Sequence, residues 1–194
     1  MDKWIIFDLD DVVGNFRDSL YQSFKALNKD IHWSTWDTYD CAKIFQLKDQ
    51  QELREHMVNY KVLENSTLEP YAKQVFEELK ENGYHIGLLT ARSWHKQAQK
   101  VTEEFVHSYD LKVDRVVISG LHEDKKSLHI PKFTGEIKAY VDDTSHHVED
   151  FINNGVENVF LMDRPWNQSS ELYRVNDLKE FQDKILKKPK PRFK

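Results

Sequence analysis

Short apolar runs alternate with longer amphipathic segments along most of this chain. Continuous apolar runs of a few residues are typical of strands that are buried on both faces. Five such runs occur, at residues 4–7, 85–89, 115–118, 139–141 and 159–162. We predict a strand at each of them.

Helical patterns occupy much of the chain between these runs. In segment 70–81, apolar residues recur with the period of one helix face, and segments 93–107 and 145–154 have similar patterns. Asn-Gly pairs, which are typical helix stops, close the first and the last of these segments. Strands that alternate with helices predict an α/β fold in which helices cover both faces of a parallel sheet.

Residues 14–68 interrupt this alternation. They contain no convincing buried strand, and their pattern predicts two helices, 18–27 and 49–62, around an aromatic-rich loop. We interpret the segment as a small helical cap that is inserted after the first strand and lies above the sheet edge. The predicted organisation is a core of residues 1–13 and 69–186, a cap of residues 14–68 and a basic, disordered tail of residues 187–194.

Composition narrows the class of protein. The chain has 194 residues, a formal net charge of −5 and no apolar run long enough to span a bilayer. Its single cysteine, Cys41, excludes a disulfide framework and a cysteine-built metal site. The N-terminus lacks the pattern of a signal segment, so we expect a cytoplasmic protein without a membrane partner. The acidic balance argues against a nucleic-acid partner, since such binding needs clustered positive charge.

Acidic and hydroxyl side chains directly follow three of the predicted strands. Segment 8–11 (DLDD) follows the first strand, 90–92 (TAR) the second and 142–143 (DD) the fourth. The carboxyl ends of parallel strands share one edge of a sheet, where ligands bind. Carboxylates that meet there raise one another's pKa unless a cation relieves them. Oxygen ligands without a soft-metal arrangement of Cys or His favour magnesium, beside which a substrate phosphate can bind.

Each of these segments also has a purely structural interpretation. Asp and Thr after a strand are common helix caps, and residues 142–145 could simply begin a helix. Three such segments at three strand ends, with the acids in Asp-x-Asp and Asp-Asp form, favour a metal-assisted phosphate site.

The same segments resemble the motifs of one enzyme superfamily. Residues 7–12 (FDLDDV), 88–92 (LLTAR) and 140–143 (YVDD) resemble motifs I, II and IV of the haloacid dehalogenase (HAD) superfamily of phosphohydrolases. The order and spacing, with a small cap between motifs I and II, are similar to the 5'(3')-deoxyribonucleotidase branch, as is segment 163–168 (DRPWNQ). The resemblance implies a three-layer, Rossmann-type core that hydrolyses phosphomonoesters with magnesium.

This resemblance also implies a role for each motif residue. Asp8 would attack phosphorus to form an aspartyl phosphate, and Asp10 would act as general acid and then as general base. Magnesium would be bound by Asp8, Asp142 and the backbone carbonyl of Asp10, while Asp143 would orient its water shell. Thr90 would hydrogen-bond to the transferring phosphoryl group.

The chain departs from the motif pattern at two points. Asp11 follows the second motif I aspartate, where the family usually has glycine. The motif III lysine, which should pair with Asp8, is not evident from the spacing. Its candidates are Lys125, Lys126, Lys132 and Lys138. Lys138 is too close to the fourth strand. We prefer Lys132 for its spacing to the aspartate pair, and Lys126 is the alternative because its neighbours resemble the motif better.

Substrate contacts are harder to assign. Among the cap aromatics, Phe16 is the first choice for stacking on a nucleobase, whereas most of the others are explained more simply as the cap's own core. Ala91 and Arg92 follow Thr90, and we expect them near the substrate, although Arg92 could equally be a solvated residue. The pair 146–147 (HH) is interpreted as a solvated helix face.

The sequence thus predicts a magnesium-dependent phosphomonoester hydrolase, resembling a 5'(3')-deoxyribonucleotidase, whose substrate is a nucleoside monophosphate. The alternatives are a phosphatase for a sugar phosphate or for a nucleic-acid 3'-phosphate, and a catalytically silent module that binds a phosphate ligand. The sequence does not predict an oligomeric state.

Overall fold

The computed structural model describes residues 1–120 and 126–187. In chain order the strands are β1 (Lys3–Phe7), β2 (Gly14–Asn15), β3 (Thr67–Leu68), β4 (His85–Thr90), β5 (Arg115–Ile118), β6 (Glu136–Asp142), β7 (Val159–Met162) and β8 (Arg174–Val175). The helices are α1 (Phe16–Lys25), α2 (Cys41–Ile44), α3 (Gln50–Asn59), α4 (Ala72–Glu81), α5 (Ala98–Ser108), α6 (Ser145–Asn153) and α7 (Leu178–Leu186).

Six strands form one parallel sheet in the order β5-β4-β1-β6-β7-β8. All five predicted strands are present, and the predicted α/β class with a cap after the first strand is confirmed. The strand β8 was not predicted because two residues are too short for an apolar run. The helix α7 was also missed, although Asp177 caps it by accepting a hydrogen bond from the backbone N–H of Glu180.

Alternation along the strands divides the apolar side chains between two faces of the sheet. Ile5 and Phe7 lie on one face with α4, α5 and α7, and Trp4 and Ile6 lie on the other face with α6. Helices therefore cover both faces, which leaves the ends of the strands as the accessible edges of the sheet. The neighbours β4, β1 and β6 are those followed by segments 90–92, 8–11 and 142–143.

The segment between β1 and α4 has a hydrophobic core of its own. The antiparallel pair of β2 and β3 joins Gly14 to Leu68, so the two ends of the segment meet at its base. Above them, α1, α2 and α3 bury a cluster in which Phe24 stacks on Phe45 at 3.8 Å between ring centroids. The predicted helices at 18–27 and 49–62 correspond to α1 and α3, and the short α2 is additional.

Three further predictions concern the start of a helix, the C-terminal tail and membrane-spanning segments. Helix α5 begins at Ala98 rather than at residue 93, because the chain makes a turn there, with the backbone N–H of His95 bonded to the carbonyl of Arg92. The predicted tail at 187–194 lies outside the described residues apart from its first position. Within the described part of the chain, every helix is too short or too polar to cross a membrane.

Candidate active site

Three carboxylates meet where β1 and β6 end. Oxygen atoms of Asp8, Asp142 and Asp143 all lie within 4.8 Å of one another, and all three residues are buried. Asp8 directly follows β1, and Asp142 is the last residue of the neighbouring β6, so the parallel pairing of these strands brings the acids together. The convergence that the sequence predicted is therefore present in the fold.

A buried lysine joins two of these carboxylates. Lys126, with 2% of its surface exposed, donates to Asp8 Oδ1 at 2.5 Å and to Asp142 Oδ2 at 2.8 Å. The preference for Lys132 is therefore wrong as a partner for Asp8. Lys132 is exposed, and its carbonyl oxygen accepts a hydrogen bond from Arg115 at the edge of the sheet. We call Asp8, Asp142, Asp143 and Lys126 the acid cluster.

Helix α6 holds the turn that carries Lys126. The carboxylate of Asp150 accepts the backbone N–H of Ser127 at 2.7 Å and its hydroxyl at 2.8 Å. The side-chain amide of Asn154 also donates to the Ser127 hydroxyl, at 3.0 Å. Because Ser127 and Asp150 are buried, these bonds fix the backbone next to Lys126 and direct its ammonium to the acids.

Asp142 is the most heavily bonded acid of the acid cluster. The hydroxyl of Tyr140 donates to its Oδ2, and the backbone N–H of Thr144 donates to its Oδ1 at 2.8 Å. His147 Nδ1 lies 3.2 Å from Oδ2. The interpretation of 146–147 as a solvated face is thus wrong for His147, which is buried, and right for His146, which is exposed, because adjacent helix positions point in different directions.

Burial and charge set the protonation of the acid cluster. Burial, with the charges of Asp142 and Asp10, raises the pKa of Asp8 to about 7 against the opposing ammonium of Lys126. Burial and the neighbouring acids also raise the pKa of Asp143. Burial acts in the same direction on Asp142, but Lys126 and His147 outweigh it and lower its pKa. Asp142 and Asp8 outweigh the effect of burial on Lys126 and raise its pKa, so it remains charged.

The acid cluster has the donors that a hard divalent cation requires. Asp8, Asp142 and Asp143 supply carboxylate oxygens, and the single ammonium of Lys126 does not balance their charge. Oxygen donors of this kind suit Mg²⁺, and the three acids could hold a metal ion. Asp10 was expected to bind the metal through its backbone carbonyl, and its side chain is not part of this group.

Asp10 instead forms an ion pair with Arg92. The guanidinium donates from Nε to Asp10 Oδ2 at 2.9 Å and from Nη2 to Oδ1, and its Nη1 donates to Thr102 on α5 at 3.3 Å. Arg92 is fully buried, so the alternative of a solvated residue is wrong. Asp10 lines the cavity over the acid cluster, and Arg92 does not.

A cavity of about 170 Å³ lies over the acid cluster. Thr90 and Ala91 line it from the core side, and Phe16 lines it from helix α1. These three residues were predicted from the sequence to contact the substrate. The Thr90 hydroxyl is buried and has no hydrogen-bond partner among the described residues. A buried hydroxyl without a partner costs free energy, so the Thr90 hydroxyl is available to bond a polar group that enters the cavity.

Cap and core meet above this cavity through aromatic side chains. Trp166 of the core donates from Nε1 to Asp143 Oδ2 at 2.9 Å, and its ring lies 5.9 Å from that of Tyr39. The hydroxyl of Tyr39 donates to the carbonyl oxygen of Asp143. Cys41 also lines the cavity, but burial raises the pKa of its thiol to about 12, so it stays protonated and inert.

The structure shows how Asp11 is held at the position where the family usually has glycine. Asp11 has a positive φ of 61°, the left-handed conformation that glycine adopts most easily. Its carboxylate accepts from the Arg17 side chain at 3.0 Å, and its carbonyl accepts from Arg164 at 2.6 Å. Glu69 bonds both arginines, at 2.6 and 2.7 Å. We call Asp11, Arg17, Glu69 and Arg164 the junction network, because it ties the first cap helix to the core.

Comparisons with known structures show the same fold. A HAD-superfamily hydrolase of subfamily IA from Geobacter sulfurreducens is 16% identical with a TM-score of 0.63, over 95% of this chain and 96% of that chain. A protein described as a predicted phosphatase from Clostridium acetobutylicum is 16% identical with a TM-score of 0.65, over 96% and 99%. A HAD-superfamily hydrolase from Ehrlichia chaffeensis is 15% identical with a TM-score of 0.57, over 95% and 97%.

Sequence comparison identifies the family. A search of curated proteins finds no matching relative. The model of the haloacid dehalogenase-like hydrolase family matches residues 5–157, which include both acid-bearing strand ends and the whole segment between β1 and α4. The predicted resemblance to this superfamily and the expectation of a hydrolase are confirmed. This chain belongs to the haloacid dehalogenase-like hydrolase family.

Proposed function

We propose that this chain is a magnesium-dependent phosphomonoester hydrolase that forms a phospho-aspartate on Asp8. One observation carries the proposal: the buried hydroxyl of Thr90, which has no hydrogen-bond partner in the described part of the chain, lines the same small cavity as Asp8 and Lys126. A phosphoryl group placed there would satisfy the hydroxyl and bring its charge beside the ammonium. The same position puts phosphorus next to the carboxylate that would attack it.

The chain's own residues divide the reaction between them. In the first step a carboxylate oxygen of Asp8 bonds to phosphorus, the bond to the leaving oxygen breaks, and the carboxyl proton of Asp10 passes to that oxygen. In the second step water attacks phosphorus, its proton passes to Asp10, and the Asp8 carboxylate is released. Lys126 and Thr90 stabilise the negative charge of the phosphoryl oxygens in both steps.

Magnesium fits the acid cluster and would be held by Asp8, Asp142 and Asp143. When bound, it would supply positive charge to the substrate phosphate. Trp166 keeps one oxygen of Asp143 engaged, and Tyr140 and His147 do the same for Asp142, so these two carboxylates are oriented before an ion arrives.

The proposed substrate is a nucleoside monophosphate, as in the deoxyribonucleotidases that the sequence resembles. We propose that residues 14–68 act as the cap and that Phe16 and Trp36, which line the cavity, contact the base. The cavity of about 170 Å³ is smaller than the roughly 300–1,000 Å³ of most small-molecule sites. A nucleotide would therefore enter with the cap displaced outward, whereas a compact sugar phosphate would need less movement.

A substrate panel with matched variants tests this proposal. Wild-type protein with Mg²⁺ is assayed against nucleoside 5'- and 3'-monophosphates, sugar phosphates and a 3'-phosphorylated oligonucleotide, and kcat/KM is compared. We expect the mononucleotides to be hydrolysed best and Asp8→Asn to abolish turnover. Preference for sugar phosphates or for the oligonucleotide would change the assigned substrate. Binding of phosphate ligands without any turnover would indicate a silent module, and an active Asp8→Asn protein would overturn the phospho-aspartate.

A further inference from the structure

Each of the three side-chain nitrogens of Arg92 donates a hydrogen bond to a neighbouring side chain. Nε and Nη2 bond the two carboxylate oxygens of Asp10, and Nη1 bonds the hydroxyl of Thr102. Both Arg92 and Thr102 have 0% of their surface exposed. A planar guanidinium that bonds both oxygens of a carboxylate determines the orientation as well as the distance of its partner.

Asp10 needs such an anchor because of where it lies. Its side chain is 26% exposed and lines the cavity, and Asp10 lies in the loop after β1. Arg92 reaches it from the loop after β4, and Thr102 belongs to the buried face of α5. The arginine therefore connects a cavity-facing carboxyl group to a packed helix on one face of the sheet.

We propose that Arg92 is a positioning residue that holds Asp10 for proton transfer, and that it does not bind the substrate phosphate. The inference rests on the proposed function, since it concerns the acid and base of that reaction. Proton transfer by a positioned side chain typically contributes about 10²–10⁴-fold to rate and requires hydrogen-bond reach of the reacting oxygen. Arg92 is fully buried and does not line the cavity, so its guanidinium does not face a phosphate that is bound there.

The leaving group of the substrate separates the two roles. An alkyl phosphate needs the proton of Asp10 as its bond to phosphorus breaks, whereas p-nitrophenyl phosphate releases a stable anion without it. In Arg92→Lys, which keeps the charge but loses the fork, we expect kcat/KM to fall about 30-fold for the alkyl phosphate and less than about 3-fold for p-nitrophenyl phosphate. The inhibition constant of inorganic phosphate should stay within about twofold, because no phosphate contact is lost.

Two further variants control this measurement. Arg115→Lys is the matched substitution at an exposed arginine on the sheet edge, and we expect it to leave kcat/KM unchanged for both substrates. Thr102→Val removes only the third contact of Arg92 and should give a smaller loss in the same direction, which decides the question if Arg92→Lys does not fold. Inhibition by phosphate that weakens tenfold or more in Arg92→Lys, or equal losses for both substrates, would overturn the proposal.

A structural readout keeps the inference separate from the proposed function. Crystal structures of wild-type and Arg92→Lys protein compare the orientation of the Asp10 carboxylate. We expect it to be ordered in the wild type and rotated or disordered in the variant, and an unmoved Asp10 overturns the positioning role even in a protein without phosphatase activity. Absent hydrolysis by wild-type protein would contradict the proposed function, whereas normal hydrolysis with an unmoved Asp10 contradicts only the role of Arg92.

Discussion

Two buried groups of charged side chains lie beside the loop after β1, and they differ in the ratio of acidic to basic residues. The acid cluster sets three carboxylates against one ammonium and borders a cavity that also contains an unpaired hydroxyl. The junction network sets the carboxylates of Asp11 and Glu69 against the guanidiniums of Arg17 and Arg164. An excess of negative charge around an opening is suited to a cation, and a bound cation can in turn bind a phosphate. A balanced set of charges instead holds structural elements together.

The two groups also differ in the free-energy cost of their burial and in their structural role. Buried charges are expensive to desolvate, and full pairing repays that cost only where the hydrogen bonds are complete. The junction network holds Asp11 in its left-handed conformation and links α1 to the loop after β7.

Removing the ammonium of the acid cluster should have the largest effect. We expect Lys126→Met to lower kcat/KM about 10³-fold, because a preorganised cation beside the phosphoryl oxygens is lost. Lys132→Met is the matched control, and its exposed side chain predicts a change of less than about twofold. Steady-state kinetics with thermal melts separate catalysis from folding, and an equal loss in both variants would refute the assignment of Lys126.

Breaking the junction network should affect stability more than the metal site. Arg164→Met leaves Glu69 and the Asp11 carbonyl without one donor, and we expect a loss of about 3 kcal/mol in the free energy of unfolding. Lys73→Met, which breaks an exposed pair with Asp110, should cost less than about 0.5 kcal/mol. Chemical denaturation measures both. A Mg²⁺ affinity that changes more than about twofold in Arg164→Met would contradict the separation of the two groups.

The raised pKa values of the acid cluster predict a pH dependence of metal affinity. Without a cation, Asp8 has a pKa of about 7 and that of Asp143 is also raised, so both take up protons as the pH falls. Mg²⁺ must displace these protons when it binds. Its affinity should therefore fall by up to about tenfold for each unit by which the pH is lowered, for each proton displaced. Calorimetric titration between pH 6 and pH 8 tests this, and a flat profile would contradict it.

Loosening the turn at Lys126 should have the smallest effect. Asp150→Asn keeps the shape of the side chain but weakens the two bonds that Ser127 donates to it. We expect kcat/KM to fall about tenfold, with the loss in kcat rather than in KM, because Lys126 remains present but is less well directed. Glu149→Gln, at an exposed position on the same helix, is the control and should match the wild type.

Much of the fold and part of the site followed from the sequence. The apolar runs are covered on both faces in the fold, so their positions in the chain predict the strands β1, β4, β5, β6 and β7. Asp8, Thr90 and Asp142 lie at the carboxyl ends of strands whose parallel pairing follows from the alternating pattern. Residues at the ends of neighbouring parallel strands lie close together. No other information was needed to gather Asp8, Thr90 and Asp142.

Only the tertiary structure decided which long side chains reach the site. Lys126 and Lys132 lie at the two ends of one short 3₁₀-helical segment. Lys126 points to Asp8 because Asp150 on α6 fixes its neighbour Ser127. Arg92 likewise turns to Asp10. Loops have no fixed period, and a long flexible side chain can reach many points, so contacts from distant parts of the chain select the final one. By contrast, the order of the strands alone brings short side chains at the strand ends together, and no further contacts are needed.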